Sequence, residues 1–337
     1  NTAKELKRGV EIFFDAHPEL RSEFAVDYFD NKGSVAETIK IINDDLKKDY
    51  KIFVGFANSD EAFAASKLLL GKDAVLLTPF STNSEITKDK NNVFQICFTD
   101  EQQGHLLAKF AKEAKYKNIL VLRNVETLYS IGLVKNFLDV MESAPSKPKI
   151  QTVDYSPEKL NTDLDLKKIL EDFKPDMIFI PDHTTRASLI VQRLDKLEYK
   201  GVVLGGDGFG GEKIFMALNG NVKNIRIYYS THWYDALNKP ENKKVIKLYG
   251  KLFPHDKPTS GAALTFDTFH ILTDALKAPG VVGSNGVQIP ELIKAIKSKD
   301  FETTVGRVNF KSSNAAKKPA VVMKYENGKY SFYKLIR

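Results

Sequence analysis

Three polar turns, each directly after an apolar strand-like run, carry the side chains of this chain that are best suited to chemistry. They are Val54-Gly55-Phe56-Ala57-Asn58-Ser59, Leu77-Thr78-Pro79-Phe80-Ser81-Thr82 and Leu204-Gly205-Gly206-Asp207-Gly208. Such turns lie at the carboxyl ends of strands, where open α/β sheets bind their ligands. The first two offer hydroxyl and amide donors and the third offers a carboxylate, so together they suit a zwitterionic ligand better than a chemical reaction.

Ser59 and Thr82 each have two interpretations. A serine hydroxyl at the start of a helix, with the free amides around it, binds a carboxylate because unpaired N–H groups and the helix dipole favour an anion. Alternatively, Asn58 and Ser59 only cap a helix, and Thr82-Asn83-Ser84-Glu85 is a capping box. The sequence leaves both interpretations open.

Asp207 lies among glycines that let the backbone approach a ligand closely, so its carboxylate could pair with a cationic group. An ordinary Asp-Gly turn is the alternative. Residues 206–211 also match G-x-G-x-x-G, but a dinucleotide site needs an acidic residue at the end of the next strand, and Ile225 to Thr231 contains none. We interpret the match as a coincidence.

Catalytic signals are few. The six histidines are scattered, none forms a metal-type pair at helical spacing, and there is neither a G-x-S-x-G elbow nor a P-loop. Asp182-His183 at a strand end could be acid/base machinery, although a histidine that lines a cleft or the surface is commoner. Trp233 and Tyr234 could stack on a ligand or pack between elements. We therefore expect a protein that is not an enzyme, with no cofactor and no metal.

The composition is that of a globular protein long enough for two domains, with 337 residues, 42% of them hydrophobic and 28% charged. Apolar runs such as Met177-Ile178-Phe179-Ile180 are far too short to cross a bilayer. The net charge of +7 comes from lysines interleaved with acids, which argues against nucleic acid as a partner. The single cysteine, Cys97, excludes an internal disulfide and fits a buried strand.

Hydrophobic spacing predicts alternating helices and strands up to about residue 230, which indicates βαβ units and two doubly wound parallel-sheet lobes. Near the amino terminus it predicts a helix over Thr2 to Ala16 and a first strand over Phe24 to Phe29. A doubly wound lobe usually begins with a central strand, which this sequence lacks. We therefore expect the natural polypeptide to have a further segment before Asn1.

After Trp233 the pattern changes to helices, and the chain closes on two strand-like runs around Glu326-Asn327-Gly328, which predicts a hairpin. The other predicted strands are Lys51 to Val54, Ala74 to Leu77, Val93 to Phe98, Ile119 to Leu122, Ile150 to Asp154, Met177 to Ile180, Val202 to Leu204 and Ile225 to Tyr229. A helix is predicted near Thr162 to Phe173.

With these turns in order, the chain resembles type I periplasmic solute-binding proteins, in particular the leucine/isoleucine/valine-binding family that serves ABC transporters. Each matching motif is short, but their order and spacing agree over nearly the whole length. The motifs are Arg8-Gly9-Val10-Glu11, Val54-Gly55, Thr78-Pro79-Phe80-Ser81-Thr82, Tyr129-Ser130-Ile131-Gly132-Leu133, Gly205-Gly206-Asp207-Gly208, Ala262-Ala263-Leu264-Thr265-Phe266-Asp267 and Glu326-Asn327-Gly328-Lys329.

The resemblance implies two lobes, residues 1–98 with 232–308 and residues 99–231 with 309–337, joined by a three-strand hinge. A small amino acid, or a related amide or carboxylate, would bind in the interlobe cleft and hold the closed form. It also implies an extracytoplasmic, monomeric protein, with a signal or lipoprotein segment, that delivers its ligand to an ABC permease. A ligand-sensing receptor or regulator domain on the same fold is the alternative.

Residue by residue, the resemblance implies that Ser59 and Thr82 bind the ligand α-carboxylate, with Ser81 beside them. The Phe80 carbonyl, with the Thr82 hydroxyl, would accept from the α-ammonium, and Asp207 would supply the opposite charge. The remaining expected ligand contacts are Tyr129, His183 and Trp233.

The chain departs from the leucine-binding pattern at several of these positions. Asn58 replaces a disulfide cysteine, Asp207 is shorter than the usual glutamate, and Ala263 replaces a bulky aromatic residue. We therefore expect a side-chain pocket that differs from a plain leucine pocket.

Overall fold

The computed structural model describes residues 2–143, 147–160, 165–210, 213–218, 222 and 224–336. The chain folds into two compact units. Unit 1 comprises Asn1–Thr99 and Trp233–Lys318, and unit 2 comprises Asp100–His232 and Pro319–Arg337.

The elements of the described residues alternate as an α/β fold requires. The helices are α1 (Thr2–Ala16), α2 (Val35–Lys47), α3 (Ser59–Leu68), α4 (Asp100–Glu113), α5 (Leu128–Glu142), α6 (Leu166–Phe173), α7 (Thr184–Lys196), α8 (Lys213–Leu218), α9 (Pro240–Leu252), α10 (Ser260–Leu276) and α11 (Ile289–Ser298). The strands are β1 (Ile52–Val54), β2 (Val75–Thr78), β3 (Val93–Gln95), β4 (Asn118–Asn124), β5 (Lys149–Tyr155), β6 (Met177–Ile180), β7 (Val202–Gly205), β8 (Arg226–Thr231), β9 (Val282–Gly283), β10 (Gly286–Val287), β11 (Asp300–Thr303), β12 (Gly306–Asn309), β13 (Ala320–Glu326) and β14 (Lys329–Ile336).

Unit 1 is built on the parallel sheet β1-β2-β3, in which Phe53 pairs with Leu76 and Leu77 with Phe94. Every residue of β2 and β3 is buried, as expected for parallel strands covered on both faces. The helices α1 and α10 pack closely, since a Cβ on Gly9 would lie 2.5 Å from Thr265 Cβ. The turns that carry Ser59 and Thr82 follow β1 and β2.

The strand predicted over Phe24 to Phe29 is wrong, because residues 24–30 have no regular secondary structure. Phe24 and Val26 still pack against the apolar cluster of α1 and α10. The alternating apolar pattern therefore reflects the burial of these side chains and not a strand. A strand also needs a hydrogen-bonded neighbour, and no described strand pairs with this segment.

Unit 2 is a seven-stranded sheet in the order β14-β13-β8-β7-β6-β4-β5. The strands from β8 to β5 are parallel, whereas β13 pairs antiparallel with β8 and β14. The predicted doubly wound parallel sheet is therefore confirmed, and the closing hairpin adds an antiparallel edge to it. The strand order reverses between β4 and β6, and ligands of open α/β sheets bind at such a switch point.

Several predicted elements are confirmed and several boundaries move. The closing hairpin forms around Asn327 and Gly328, both with positive φ (53° and 75°), as a tight turn of this kind requires. The strand predicted to end at Phe98 ends at Gln95. The first residues of the helix predicted from Thr162 lie outside the described residues, and α6 begins at Leu166.

Unit 1 extends to Lys318, beyond the position 308 at which the sequence-based division ended it. The reason is a pair of hydrogen bonds to β3. Gln95 N donates to Asn314 O at 2.8 Å, and Ala316 N donates to Gln95 O at 2.9 Å. These bonds hold the segment after β12 beside the sheet of unit 1.

No helix within the described ranges has the length and apolar character needed to cross a membrane.

Candidate functional site

The turn after β2 is held rigidly in unit 1. The Ser81 hydroxyl lies 3.0 Å from the carbonyl oxygens of both Phe56 and Asn58, which ties this turn to the one after β1. Gln95 Nε2 donates to the carbonyls of Ser81 at 2.8 Å and Asn83 at 3.1 Å. Ser81 therefore positions the site, because its hydroxyl is bonded to the backbone.

The side chains of Asn58 and Asn83 decide whether the polar residues of these two turns act as helix caps. Asn58 precedes α3, but its side chain makes no cap hydrogen bond and instead donates to Glu61 Oε1 at 3.1 Å. The short helical turn Ser84–Ile86 is capped by Asn83, whose Oδ1 accepts from Glu85 N at 3.0 Å. Thr82 is therefore not the cap of that turn.

Thr82 and Ser59 have hydrogen-bond donors that no described residue accepts. Asn83 N donates to Ser59 Oγ at 3.3 Å, which places Thr82 and Ser59 together at the start of α3. Within the described residues, no group accepts the hydroxyl hydrogen of Ser59 and none bonds to the hydroxyl or amide of Thr82, although both residues are only 1–2% exposed. Buried hydroxyls normally have a partner. With the positive end of α3, this donor set fits one carboxylate.

The two other predicted residues of unit 1 differ in character. Phe80 is partly buried beside Thr82. Trp233 is 5% exposed, packs with Ala263 and Val305, and donates from Nε1 to Asn242 Oδ1 at 2.6 Å. Its indole is therefore part of the core of unit 1.

In unit 2, Asp207 has a defined set of donors. Gln103 Nε2 donates to Oδ1 at 2.6 Å, and His232 Nε2 lies 3.0 Å from Oδ2. Burial alone would raise the pKa of the Asp207 carboxyl, but the hydrogen bonds from His232 and Gln103 outweigh it and lower that pKa below its usual value. Asp207 is therefore an ionised acceptor at neutral pH.

Tyr129 and His183 lie beside Asp207. Their rings stack with centroids 5.0 Å apart, and Gly208 N donates to the Tyr129 hydroxyl at 2.9 Å. A Cβ on Gly206 would lie 2.3 Å from that hydroxyl. The glycines on either side of Asp207 are therefore required for close packing. The three residues predicted in this half of the chain are brought together.

Asp182 does not form acid/base machinery with His183. Its buried carboxylate is paired with Arg186, whose Nη2 lies 2.8 Å from Oδ1. It also accepts from Tyr155 and from Asn124 Nδ2, which joins the ends of β4, β5 and β6. These contacts make Asp182 a structural residue beneath the site.

Sequence reasoning missed three residues that position predicted side chains: Gln95 at the Ser81 turn in unit 1, and Gln103 and His232 at Asp207 in unit 2. Gln103 lies within a predicted helix, and His232 directly follows a predicted strand, but nothing local in the sequence connects either with Asp207. Within the described ranges, no group of three acidic, histidine or cysteine side chains could hold a metal ion.

Comparison with known proteins settles the family. A family model described as "periplasmic binding protein" matches residues 20–329. The chain belongs to the periplasmic binding protein family. A curated relative, the Leu/Ile/Val-binding protein homolog 3 of Brucella melitensis, is 23% identical over 334 residues, which are 97% of this chain and 86% of that protein.

Solved periplasmic binding proteins share the fold. The leucine-binding protein LivK of Thermotoga maritima superposes with a TM-score of 0.89 at 23% identity, over 99% of this chain and 94% of that one. A solute-binding protein of an ABC transporter from R. palustris, in complex with benzoate, superposes with a TM-score of 0.84 at 15% identity, over 98% and 91%. These neighbours bind solutes and are not enzymes. Membership of this family implies an extracytoplasmic location.

Proposed function

We propose that this periplasmic binding protein binds a small amino acid, or a related amide or carboxylate, as the solute-binding component of an ABC-type uptake system. Unit 1 contributes the donors for a ligand carboxylate, and unit 2 contributes Asp207 for a ligand ammonium. In this role the protein acts as a monomer and delivers its ligand to a membrane permease.

Thr82 is the observation that carries the proposal. The residue is 1% exposed, and its hydroxyl and amide make no hydrogen bond among the described residues, between two neighbours that are tied to the start of α3. Donors in this arrangement lose their hydrogen bonds to water without replacement, which is unfavourable until a ligand oxygen accepts them. A carboxylate suits them best, because charge-assisted hydrogen bonds are about twice as strong as neutral ones.

The ligands of the structural neighbours agree with this choice. One neighbour is named a leucine-binding protein and the other is in complex with benzoate. Leucine and benzoate share a carboxylate, whereas only leucine has an ammonium group. The carboxylate donors of unit 1 are therefore the more general feature, and Asp207 decides whether an ammonium is recognised as well.

A binding screen with matched pairs tests the proposal. Calorimetry would compare amino acids and small carboxylates with the amides in which a neutral carboxamide replaces the carboxylate, for example leucine with leucinamide and benzoate with benzamide. We expect at least one carboxylate to bind and its amide to bind at least ~10-fold more weakly, because the amide lacks the charge that the donors recognise. Equal affinities within every pair, or no binding by any carboxylate, would refute the proposal.

A further inference from the structure

Lys318 is a nearly buried lysine whose ammonium group has no protein partner among the described residues. The residue is only 7% exposed. Among the residues that the structure describes, none accepts a hydrogen bond from its Nζ or forms an ion pair with it. Burial accordingly lowers the pKa of the Lys318 ammonium. Lysine is almost never buried to this extent unless it is paired, because removing its charge from water is costly.

The segment just before Lys318 is held beside the last residue of β3. The segment around Ala315 runs parallel to β3 and pairs with Gln95. Lys318 follows Ala315 by three residues and lies near enough to Cys97 for the two side chains to interact electrostatically. Cys97 Sγ lies 3.3 Å from the carbonyl oxygen of Ser81. Lys318 therefore lies close to the turn that carries Thr82, within unit 1.

Asp267 on α10 does not neutralise Lys318 by direct contact. Its charge acts on Lys318, but its oxygens accept hydrogen bonds from Thr304, with the backbone N at 2.9 Å and Oγ1 at 2.7 Å. The ammonium therefore still needs an anion within bonding distance. The turn beside it already has donors for one ligand carboxylate.

We infer that Lys318 is an anion-binding group of the ligand site and pairs with a second carboxylate of the ligand, in addition to the one bound at Ser59 and Thr82. This inference rests on the proposed function and narrows its ligand class to small dicarboxylic compounds, namely acidic amino acids or short dicarboxylates. The second carboxylate satisfies the buried ammonium, and a ligand with a neutral side chain leaves it unpaired.

Isosteric ligand pairs test the inference directly. L-glutamate and L-glutamine, or L-aspartate and L-asparagine, differ only in the charge of the side-chain group. We expect calorimetry to show the acid of one pair binding at least about 10-fold more tightly than its amide, since an amide is a poor partner for an ammonium. Glutarate and succinate, which lack the ammonium, distinguish a simple dicarboxylate from an acidic amino acid as the natural ligand.

Two neighbouring lysines supply the variant and its control. Lys318→Met keeps the length of the side chain and removes the charge, so we expect the preference for the acid to disappear. The ligand-free variant should melt a few degrees higher, because a buried unpaired charge has been replaced by an apolar group. Lys317 is exposed, and Lys317→Met should leave both the preference and the melting temperature unchanged.

The outcomes separate this inference from the proposed function. Equal binding of acid and amide in both pairs, or a preference that survives in Lys318→Met, overturns the role of Lys318. If carboxylates such as leucine or benzoate still bind in that case, the proposed function stands. If no carboxylate binds the wild-type protein, both fail.

Discussion

The Asp207 carboxylate is hydrogen-bonded to the imidazole of His232, with Oδ2 and Nε2 3.0 Å apart. Gln103 Nε2 donates to the other carboxylate oxygen, Oδ1, at 2.6 Å. Each carboxylate oxygen has a further lone pair, so both can still accept from a ligand ammonium. The hydrogen bonds from His232 and Gln103 lower the pKa of the Asp207 carboxyl and fix its orientation, which suits the ammonium-binding role proposed for it.

Removing the charge of Asp207 should weaken the binding of amino acids much more than the binding of simple carboxylates. In Asp207→Asn we expect amino acid binding to weaken by about 100-fold, because losing one partner of a buried charge pair costs ~2–5 kcal/mol. The affinity for benzoate-like ligands, which have no ammonium, should change less than ~3-fold. Calorimetry on both ligand types measures this, with the exposed Asp172→Asn as the control. An unchanged amino acid affinity would contradict the role of Asp207.

Two arginine–aspartate pairs of unit 2 should differ sharply in their contribution to stability. Arg186→Met leaves the fully buried Asp182 without its counter-charge, so we expect a loss of ~3–5 kcal/mol in the free energy of unfolding. Arg123→Met breaks the pair with Asp154, whose carboxylate is 48% exposed, and should cost at most about 1 kcal/mol. Urea unfolding of both variants tests the contrast. Equal losses would show that Asp182 is not held by Arg186.

Asp267 should make stability fall between about pH 4 and pH 6. Burial raises the pKa of its carboxyl to about 6 in the folded chain, whereas the unfolded value is about 3.9. The folded state therefore binds more protons in this interval, and stability decreases as pH rises through it, by ~2–3 kcal/mol in total. In Asp267→Asn this decrease should be absent. The check is chemical denaturation from pH 4 to pH 7, and an identical slope in wild type and variant would contradict it.

Local sequence patterns were sufficient to place Ser59, Thr82 and Asp207 in turns that follow strands. Ser59, Thr82 and Asp207 each follow an apolar run, and parallel strands direct such residues to one edge of their sheet. The same reasoning failed for Phe24 to Phe29, because alternation reports burial, whereas a strand also needs a partner that the segment itself does not encode.

Partners that are distant in sequence could not be predicted. His232 is separated from Asp207 by 25 positions and Gln103 by 104. Only the arrangement of the sheet in unit 2 brings them together. Lys318 is similar, since lysines are mostly exposed, and nothing local in the sequence predicts that it is only 7% exposed.

Thr82→Val tests the central claim, which is that the donors at the start of α3 bind a ligand carboxylate. The variant keeps the shape of the side chain and removes one donor, and Thr152→Val on the exposed face of β5 is its matched control. Calorimetry with the tightest carboxylate ligand should show affinity reduced about 10- to 100-fold in Thr82→Val, since a hydrogen bond to a charged group contributes ~1.5–3 kcal/mol, and unchanged in Thr152→Val. Equal affinity in wild type and Thr82→Val would contradict the claim.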